Sequence, residues 1–404
     1  MKPRPFKRSF TQQEPICEEG IAAAIEVLRS GRLHRYNTVG EELSEVALLE
    51  QEFANYQGSR YVLACGSGGY ALHVALRAAG LRLGEPVLTN AFTLAPVPGA
   101  IVNAGGRPVL VEITRDLVLD LDDLERKAGE SGARFLVLSY MRGHMPDMDA
   151  VAALVARRGL TLIEDCAHTM GASWNGRKSG SFGLAGCFST QTYKHLNSGE
   201  GGLIASDDPE FMARAILMSG SYMFYERHGA APEPAIFSEI RLDTPNFSGR
   251  MDNLRAAVLR AQLPRLEDNV ARWNERYRTV EARLRTIKGL YLPNRPLQER
   301  YVGSSIQFMF PGISAAAASA FVGRCASLGV EINWFGNAEP KGFTSTYKNW
   351  RYLDPQALPR TDATMSGLFD MRLPLLFSIA DCQHIGDIIA ASAAETCSKV
   401  GVDD

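Results

Sequence analysis

Apolar positions recur at helical spacing near the start of the chain, at Ile21, Ile25, Val27 and Leu28, and the pattern stops at Ser30-Gly31. The polar stretch Arg32 to Gly40 reads as loop. A second pattern, Leu43, Val46, Leu49 and Phe53, predicts a helix from Glu41 to Tyr56 closed by Gly58. Beyond it short apolar runs take over, at Tyr61–Cys65, Pro86–Leu88, Pro108–Val111, Phe135–Ser139, Leu160–Glu164, Gly183–Ser189 and Leu203–Ala205. Helical patterns such as Ala71–Ala79 and Met148–Arg158 separate several of them, and this alternation predicts a mostly parallel sheet covered by helices on both faces. After Arg250 the texture changes. A long charged helical pattern, Met251 to Ile287 with Pro264 as a kink, leads into weakly patterned strands, a helix starting in the alanine run Ala315–Ala320, and a last helix near Asp381–Ala394. A boundary near residue 262 follows, with residues 1–262 as an N-terminal segment plus large α/β domain and residues 263–404 as a smaller C-terminal α+β domain.

The composition, 46% hydrophobic and 22% charged over 404 residues, suits a globular protein with a core. Lys and Arg total 43 against 45 Asp and Glu, so no global field draws in nucleic acid or an anionic membrane. No stretch approaches the ~18 apolar residues of a membrane span. The seven cysteines, at 17, 65, 166, 187, 325, 382 and 397, are odd in number and suggest neither a disulfide framework nor a zinc knuckle. A reducing cytoplasm and no metal are expected.

Three segments carry chemistry. In Leu160 to Ala172 an apolar strand ends in Glu164 and Asp165, and the crevice at the carboxyl ends of strands is where open α/β sheets bind ligands. A carboxylate there can pair with a protonated ring nitrogen, as pyridoxal 5'-phosphate (PLP) requires, or simply cap a turn. His168 and Cys166 stand nearby, but no second cluster completes a metal set. In Phe188 to Gly202, Lys194 lies between an apolar strand and a glycine-rich turn, and a lysine that forms a Schiff base needs its pKa depressed by burial or neighbouring charge. Ser189, five residues earlier, can offer a hydroxyl to phosphate. In Ala64 to Leu72 the chain runs through Gly66, Ser67, Gly68 and Gly69 into a helix, a ready phosphate site that matches neither GxGxxG nor GxxxxGK[ST].

In this order the three segments resemble the DegT/StrS-type sugar aminotransferases among the fold-type I PLP enzymes. The resemblance takes in Leu49-Glu50-Gln51-Glu52-Phe53-Ala54, Gly105 to Val109, Gly143 with Asp147-Met148-Asp149, Glu164-Asp165, Gly171-Ala172, Gly176-Arg177, Phe188-Ser189 to Lys194, Gly199 to Gly202, Asn246, Arg250-Met251 and, faintly, Arg372-Leu373-Pro374-Leu375. It implies a mostly parallel seven-stranded sheet with a smaller C-terminal α+β domain. Lys194 becomes the lysine that binds PLP, Asp165 the partner of its ring nitrogen, and His168 the residue beneath the ring. Gly68, Gly69 and Ser189 hold the phosphate. Asn246 comes from the neighbouring subunit of a homodimer, or is a turn residue before Phe247. Related sugar 3-dehydratases place His at the lysine position; this chain keeps Lys194, with His195 as a neighbour in the turn or a substrate contact, so the resemblance implies amino transfer from glutamate or glutamine to a keto sugar, cyclitol or related carbonyl compound.

The chain also departs from the family. Gly69-Tyr70 replaces a phosphate-binding threonine and an alanine, and Leu94 stands where relatives stack an aromatic, so the ring lies on an aliphatic face or Phe92 or Tyr70 moves in. Tyr140 and Arg142 replace the usual His and Tyr before Gly143, and with His144 they form a cluster expected to face the ligand unless the loop is solvated. The aromatic segments Gly220–Gly229, Trp334-Phe335 and Trp350–Tyr352 are cofactor lids or dimer packing. These departures leave room for another PLP reaction on an amino acid, such as elimination, decarboxylation or carbon–carbon bond formation, or for a regulatory dimer that binds PLP without catalysis.

Overall fold

The computed structural model describes residues 3–397. Its centre is a seven-stranded sheet whose spatial order is Tyr61–Cys65, Gly202–Ser206, Ala185–Ser189, Thr161–Asp165, Phe135–Ser139, Pro86–Asn90 and Arg107–Val111. Gly202–Ser206 runs antiparallel to both its neighbours, and the remaining pairs are parallel. Side chains alternate across a strand, and here each face meets its own core. Val62, Ala64, Leu136, Leu138 and Leu162 enter one core, while Leu63, Cys65, Phe135, Val137 and Ile163 enter the other. The helices that cover the sheet begin on the side chains suited to capping: Ser44, Ser67, Asp120, Asp147 and Asp208 each accept a first-turn N–H.

The pattern expected over Met251–Ile287 is two helices, Asn253–Gln262 and Leu266–Leu284, joined by a 3-10 turn, Leu263–Arg265, that holds Pro264. The first packs on the helices Glu18–Ser30 and Glu45–Gln57, and the second on the last helix, Ile379–Thr396. The C-terminal part is a three-stranded antiparallel sheet, Ser305–Met309, Leu368–Arg372 and Asn333–Trp334 in spatial order, with its own apolar core. Phe6 and Phe10 are buried in that core, where both rings meet Phe377 edge-on. The amino-terminal arm therefore packs with the C-terminal part, although its sequence position groups it with the large domain.

A buried ion pair ties the segment around Arg35 to the large domain. Arg35 donates through both terminal nitrogens to Glu50, at 2.9 Å each, and Glu50 also accepts the backbone N–H groups of Ala64 and Gly229. His228 lies 2.9 Å from Arg35 and its other nitrogen 2.7 Å from the Tyr36 hydroxyl. Burial alone would push Glu50 up; Arg35 and then His228 outweigh it and hold the carboxyl at about 2.

Candidate active site

A cavity of about 470 Å³ opens at the carboxyl ends of the parallel strands. Lys194, His168, Asp165, Gly68, Gly69, Ser189, Leu94 and Arg142 all line it. Lys194 follows the strand Ala185–Ser189 in a turn held by its own N–H to Gln191 carbonyl bond of 2.8 Å. Its side chain is half-buried where it lines the cavity. Desolvation, and then the positive charge of Arg142, pull it down to about 7, against the opposing pull of Asp165. A large fraction is therefore free amine at neutral pH.

The Lys194 Nζ lies 2.7 Å from His168 Nε2. Burial, and next the Lys194 charge, keep His168 well below its ordinary range and therefore neutral. The Arg142 backbone N–H points at His168 Nδ1, 3.4 Å away. With Nδ1 accepting, Nε2 carries the ring proton and donates to the lone pair of the neutral lysine.

Asp165 ends its strand directly beside Ser139 in the neighbouring one. The Ser139 hydroxyl donates to Asp165 Oδ2 at 2.7 Å and itself accepts from Thr93 at 2.8 Å, while the Ala167 N–H reaches Oδ1 at 3.2 Å. Burial raises the Asp165 carboxyl, and Ser139, Ala167 and Lys194 work against that rise. A cationic ring nitrogen is the partner such a buried, oriented carboxylate lacks. Glu164, one residue earlier, faces the opposite side. It accepts the Tyr140 hydroxyl at 2.6 Å and the N–H groups of Gly180, Phe182 and Gly183 at 2.6–2.8 Å.

Across the cavity the strand Tyr61–Cys65 turns through Ser67 into the helix Gly68–Ala78, whose first N–H groups have no partner within the helix. A Cβ on Gly68 would sit 2.8 Å from the Ser189 Cβ. Only the missing side chain keeps this cradle open. Ser189 and Gln191 line the cavity on the same side, so the residues present fit PLP: a glycine turn for its phosphate, a buried carboxylate for its ring and an amine of lowered pKa for its aldehyde. Gly68→Ala is therefore expected to weaken PLP binding by roughly 10–100-fold, the cost of overpacking by one methyl, with the fold retained. Equilibrium titration of the apo protein with PLP, followed by absorbance, checks this; unchanged affinity would remove the phosphate role from this turn.

Several residues expected to face a ligand do not. Tyr140 is fully buried and spends its hydroxyl on Glu164. His144 is buried against Gln307, with 2.8 Å between Nε2 and Oε1. His195 turns away from Lys194, between the Met170 carbonyl at 2.9 Å and the Ser304 hydroxyl at 3.0 Å, and burial pulls it down to about 4. Tyr70 lies outside the cavity, its ring against Gly249 and its hydroxyl donating to the Phe247 carbonyl at 3.1 Å. Of the three expected ligand-facing residues at 140, 142 and 144, only Arg142 lines the cavity. The cause is its backbone: at φ 57° Arg142 sits in the left-handed region, which throws the chain off strand alternation.

Leu94 lines the cavity with Pro96 and Val97, whereas Phe92 packs against Phe335 and does not line it. Asn246 is exposed and lies apart from the cavity. Of the aromatic segments, Tyr225 stacks on Phe237 inside the large domain, Trp350 is buried, and Tyr222, Met223 and Phe224 are exposed. Cavity residues not foreseen from the sequence are Ser139, Gln191, Tyr193, Glu200, Phe343 and Arg372. Ser139 carried a signal, as the last residue of an apolar strand, and Arg372 lay in the faintly matching tail. Phe343 and Tyr193 carried none. Among the described residues no group of three or more His, Cys, Asp or Glu side chains is disposed to hold a metal, and no helix is long and apolar enough to cross a membrane.

The "Pleiotropic regulatory protein" of Geobacillus stearothermophilus is 32% identical over 271 residues, 66% of this chain and 66% of its own length. GDP-perosamine synthase of Caulobacter vibrioides is 32% identical over 223 residues, 55% of this chain and 57% of that one. The chain thus spans 66% and 57% of the length of these two relatives. Among solved structures, 3-amino-5-hydroxybenzoic acid synthase superposes with a TM-score of 0.82 at 25% identity, over 97% of this chain and 100% of that one. The GDP-4-keto-6-deoxy-D-mannose-3-dehydratase of E. coli, solved with hydrated PLP, shares the fold at a TM-score of 0.79 and 18% identity, over 96% of this chain and 100% of its own. The sequence profile of the DegT/DnrJ/EryC1/StrS aminotransferase family matches residues 15–390, and with the fold of its structural neighbours this means that the chain belongs to that family.

Proposed function

We propose that the protein is a PLP-dependent aminotransferase that takes an amino group from glutamate or glutamine and delivers it to a keto group on a sugar, cyclitol or related acceptor. The observation that carries this reading is the Lys194 amine, poised near neutrality in the cavity that Asp165 also lines. PLP, when bound, supplies an aldehyde that condenses with amines and a ring that withdraws electrons from the substrate carbon. Asp165, oriented by Ser139, would hold the ring nitrogen protonated. Gly68, Gly69 and Ser189 would hold the phosphate at the helix start. Lys194 Nζ takes the proton from the substrate carbon and returns it, and His168, whose Nε2 lies 2.7 Å from that amine at rest, releases it for this step. Leu94, Pro96 and Val97 supply an apolar wall that excludes water.

The reading includes a homodimer that shares its sites. Asn246 is exposed, as are the apolar side chains of Phe247, Tyr222, Met223 and Phe224, which a second subunit would cover. It also includes a cytoplasmic location, in keeping with seven free cysteines.

Two measurements test it. Glutamate added to the PLP-loaded protein should shift the visible absorbance band and release 2-oxoglutarate; a yellow protein that glutamate leaves unchanged would overturn the donor assignment. The pH dependence has a definite sign. Below pH 7 the Lys194 amine is mostly protonated and cannot attack an aldehyde, and above it the free amine predominates. The rate at which apo protein captures PLP should therefore rise with pH around a midpoint near 7; a midpoint near 10 would mean that the lysine is solvated.

A further inference from the structure

Arg142, in the turn after the strand Phe135–Ser139, is held on three sides. Its guanidinium carbon stands 4.3 Å from the centre of the Phe343 ring, one terminal nitrogen donates to Asp370 Oδ2 at 2.9 Å, and its backbone N–H points at His168 Nδ1. Asp370 is fully buried on the strand Leu368–Arg372 and lies directly opposite the equally buried Gln307 on Ser305–Met309. The Gln307 amide donates to Asp370 Oδ1 at 2.8 Å and to the Ser305 hydroxyl at 2.9 Å, and its carbonyl oxygen lies 2.8 Å from His144 Nε2. That oxygen can only accept, so His144, kept neutral by burial and next by the charge of Arg295, carries its proton on Nε2 and donates. Each Asp370 oxygen thus has its own partner, and the C-terminal sheet reaches across to the large domain to fix one side chain in the wall around Lys194.

The groups that bear on the Lys194 amine come from several elements. Arg142 and Arg372 oppose its positive charge and Asp165 favours it. His168 and His195 are held neutral by burial, Tyr193 lies under Arg372, and Glu200 is exposed at the rim. Of the two arginines Arg142 has the larger effect, and it is the one bound to a buried acid. Buried charges are screened little by salt and water, so the field of Arg142 at the amine depends on where the guanidinium is held and on how much of its charge the carboxylate cancels. We propose that Asp370 is a positioning residue for Lys194: acting through Arg142, it lets the C-terminal sheet govern how readily the lysine amine gives up its proton. The aminotransferase reading supplies the purpose of this arrangement, but the state of the amine can be measured without PLP or turnover.

The experiment compares the full-length protein with Arg142→Lys, Arg142→Asn, Asp370→Asn and the double variant Arg142→Asn/Asp370→Asn. Asn tolerates the left-handed backbone at position 142, so Arg142→Asn removes the charge and keeps the N–H toward His168. The readout is the pH dependence of Lys194 acetylation by acetic anhydride in PLP-free protein, resolved by peptide mapping, with circular dichroism to follow the fold. From a wild-type midpoint near 7, Arg142→Asn should raise the midpoint by about one pH unit or more, and Arg142→Lys should leave it in place. Asp370→Asn keeps a carbonyl for Arg142 but removes its counter-charge, and should lower the midpoint by about one unit. The double variant should match Arg142→Asn, because Asp370 has nothing left to act through. It strands no buried charge, so if a single variant does not fold, its midpoint, expected above that of wild type, decides. An unchanged midpoint in Arg142→Asn would overturn the proposal. So would a rise in Asp370→Asn, the mark of a loosened wall that admits water, or an Asp370→Asn effect that persists in full without Arg142. If the midpoints move as expected but glutamate causes no spectral shift in PLP-loaded protein, the aminotransferase reading fails and the positioning role stands.

Discussion

Lys194→Ala is expected to lower the rate of 2-oxoglutarate formation from glutamate by roughly 10⁴-fold or more, because one side chain serves both as the attachment point and as the base. The fold should survive. The amine lies beside a neutral imidazole rather than in an ion pair, so its removal leaves no stranded charge, only a His168 nitrogen without its partner. Borohydride reduction and peptide mapping of wild type should label residue 194, and the variant should retain no label there. A variant that keeps a tenth of the wild-type rate would place the chemistry on another residue.

Glu50→Ala should produce the largest loss of stability, about 3–5 kcal/mol of unfolding free energy, the range for removing one partner of a buried ion pair. Arg35 would keep its charge with no side-chain exposure and no carboxylate to receive it, and the N–H groups of Ala64 and Gly229 would lose their acceptor. Urea unfolding of the two proteins measures the difference. A loss below 1 kcal/mol would mean that Arg35 finds water or another acceptor. Replacing Arg35 and Glu50 together by apolar residues should cost less than the single change, since no charge is then left behind.

The strand cores were legible in the sequence because strands buried on both faces read as continuous apolar runs. Phe135–Ser139 and Tyr61–Cys65 have the predicted bounds, and Thr161–Asp165 is displaced by one residue. Asp165, Lys194 and the glycine turn were legible for a related reason: Asp165 ends a strand and the other two lie in the turns after strands, where chain position fixes location. Tyr140, His144 and His195 were not. They lie in turns, where a left-handed residue such as Arg142 breaks the alternation that would otherwise tell inside from outside. Phe343 and Arg372 reach the cavity from the C-terminal part, about 150 or more residues beyond Lys194, and local pattern carries no record of such a distant approach.

Glu164 and Asp165 are chemically near-identical neighbours with unrelated duties, one pinning the 180–183 segment and the other presented to the cavity. Their division of labour comes from the pleat alone. Losing or gaining one residue within Thr161–Asp165 would turn both acids to the opposite faces, away from their present partners. Variation along this lineage can thus proceed by replacing letters in that strand but not by changing its length.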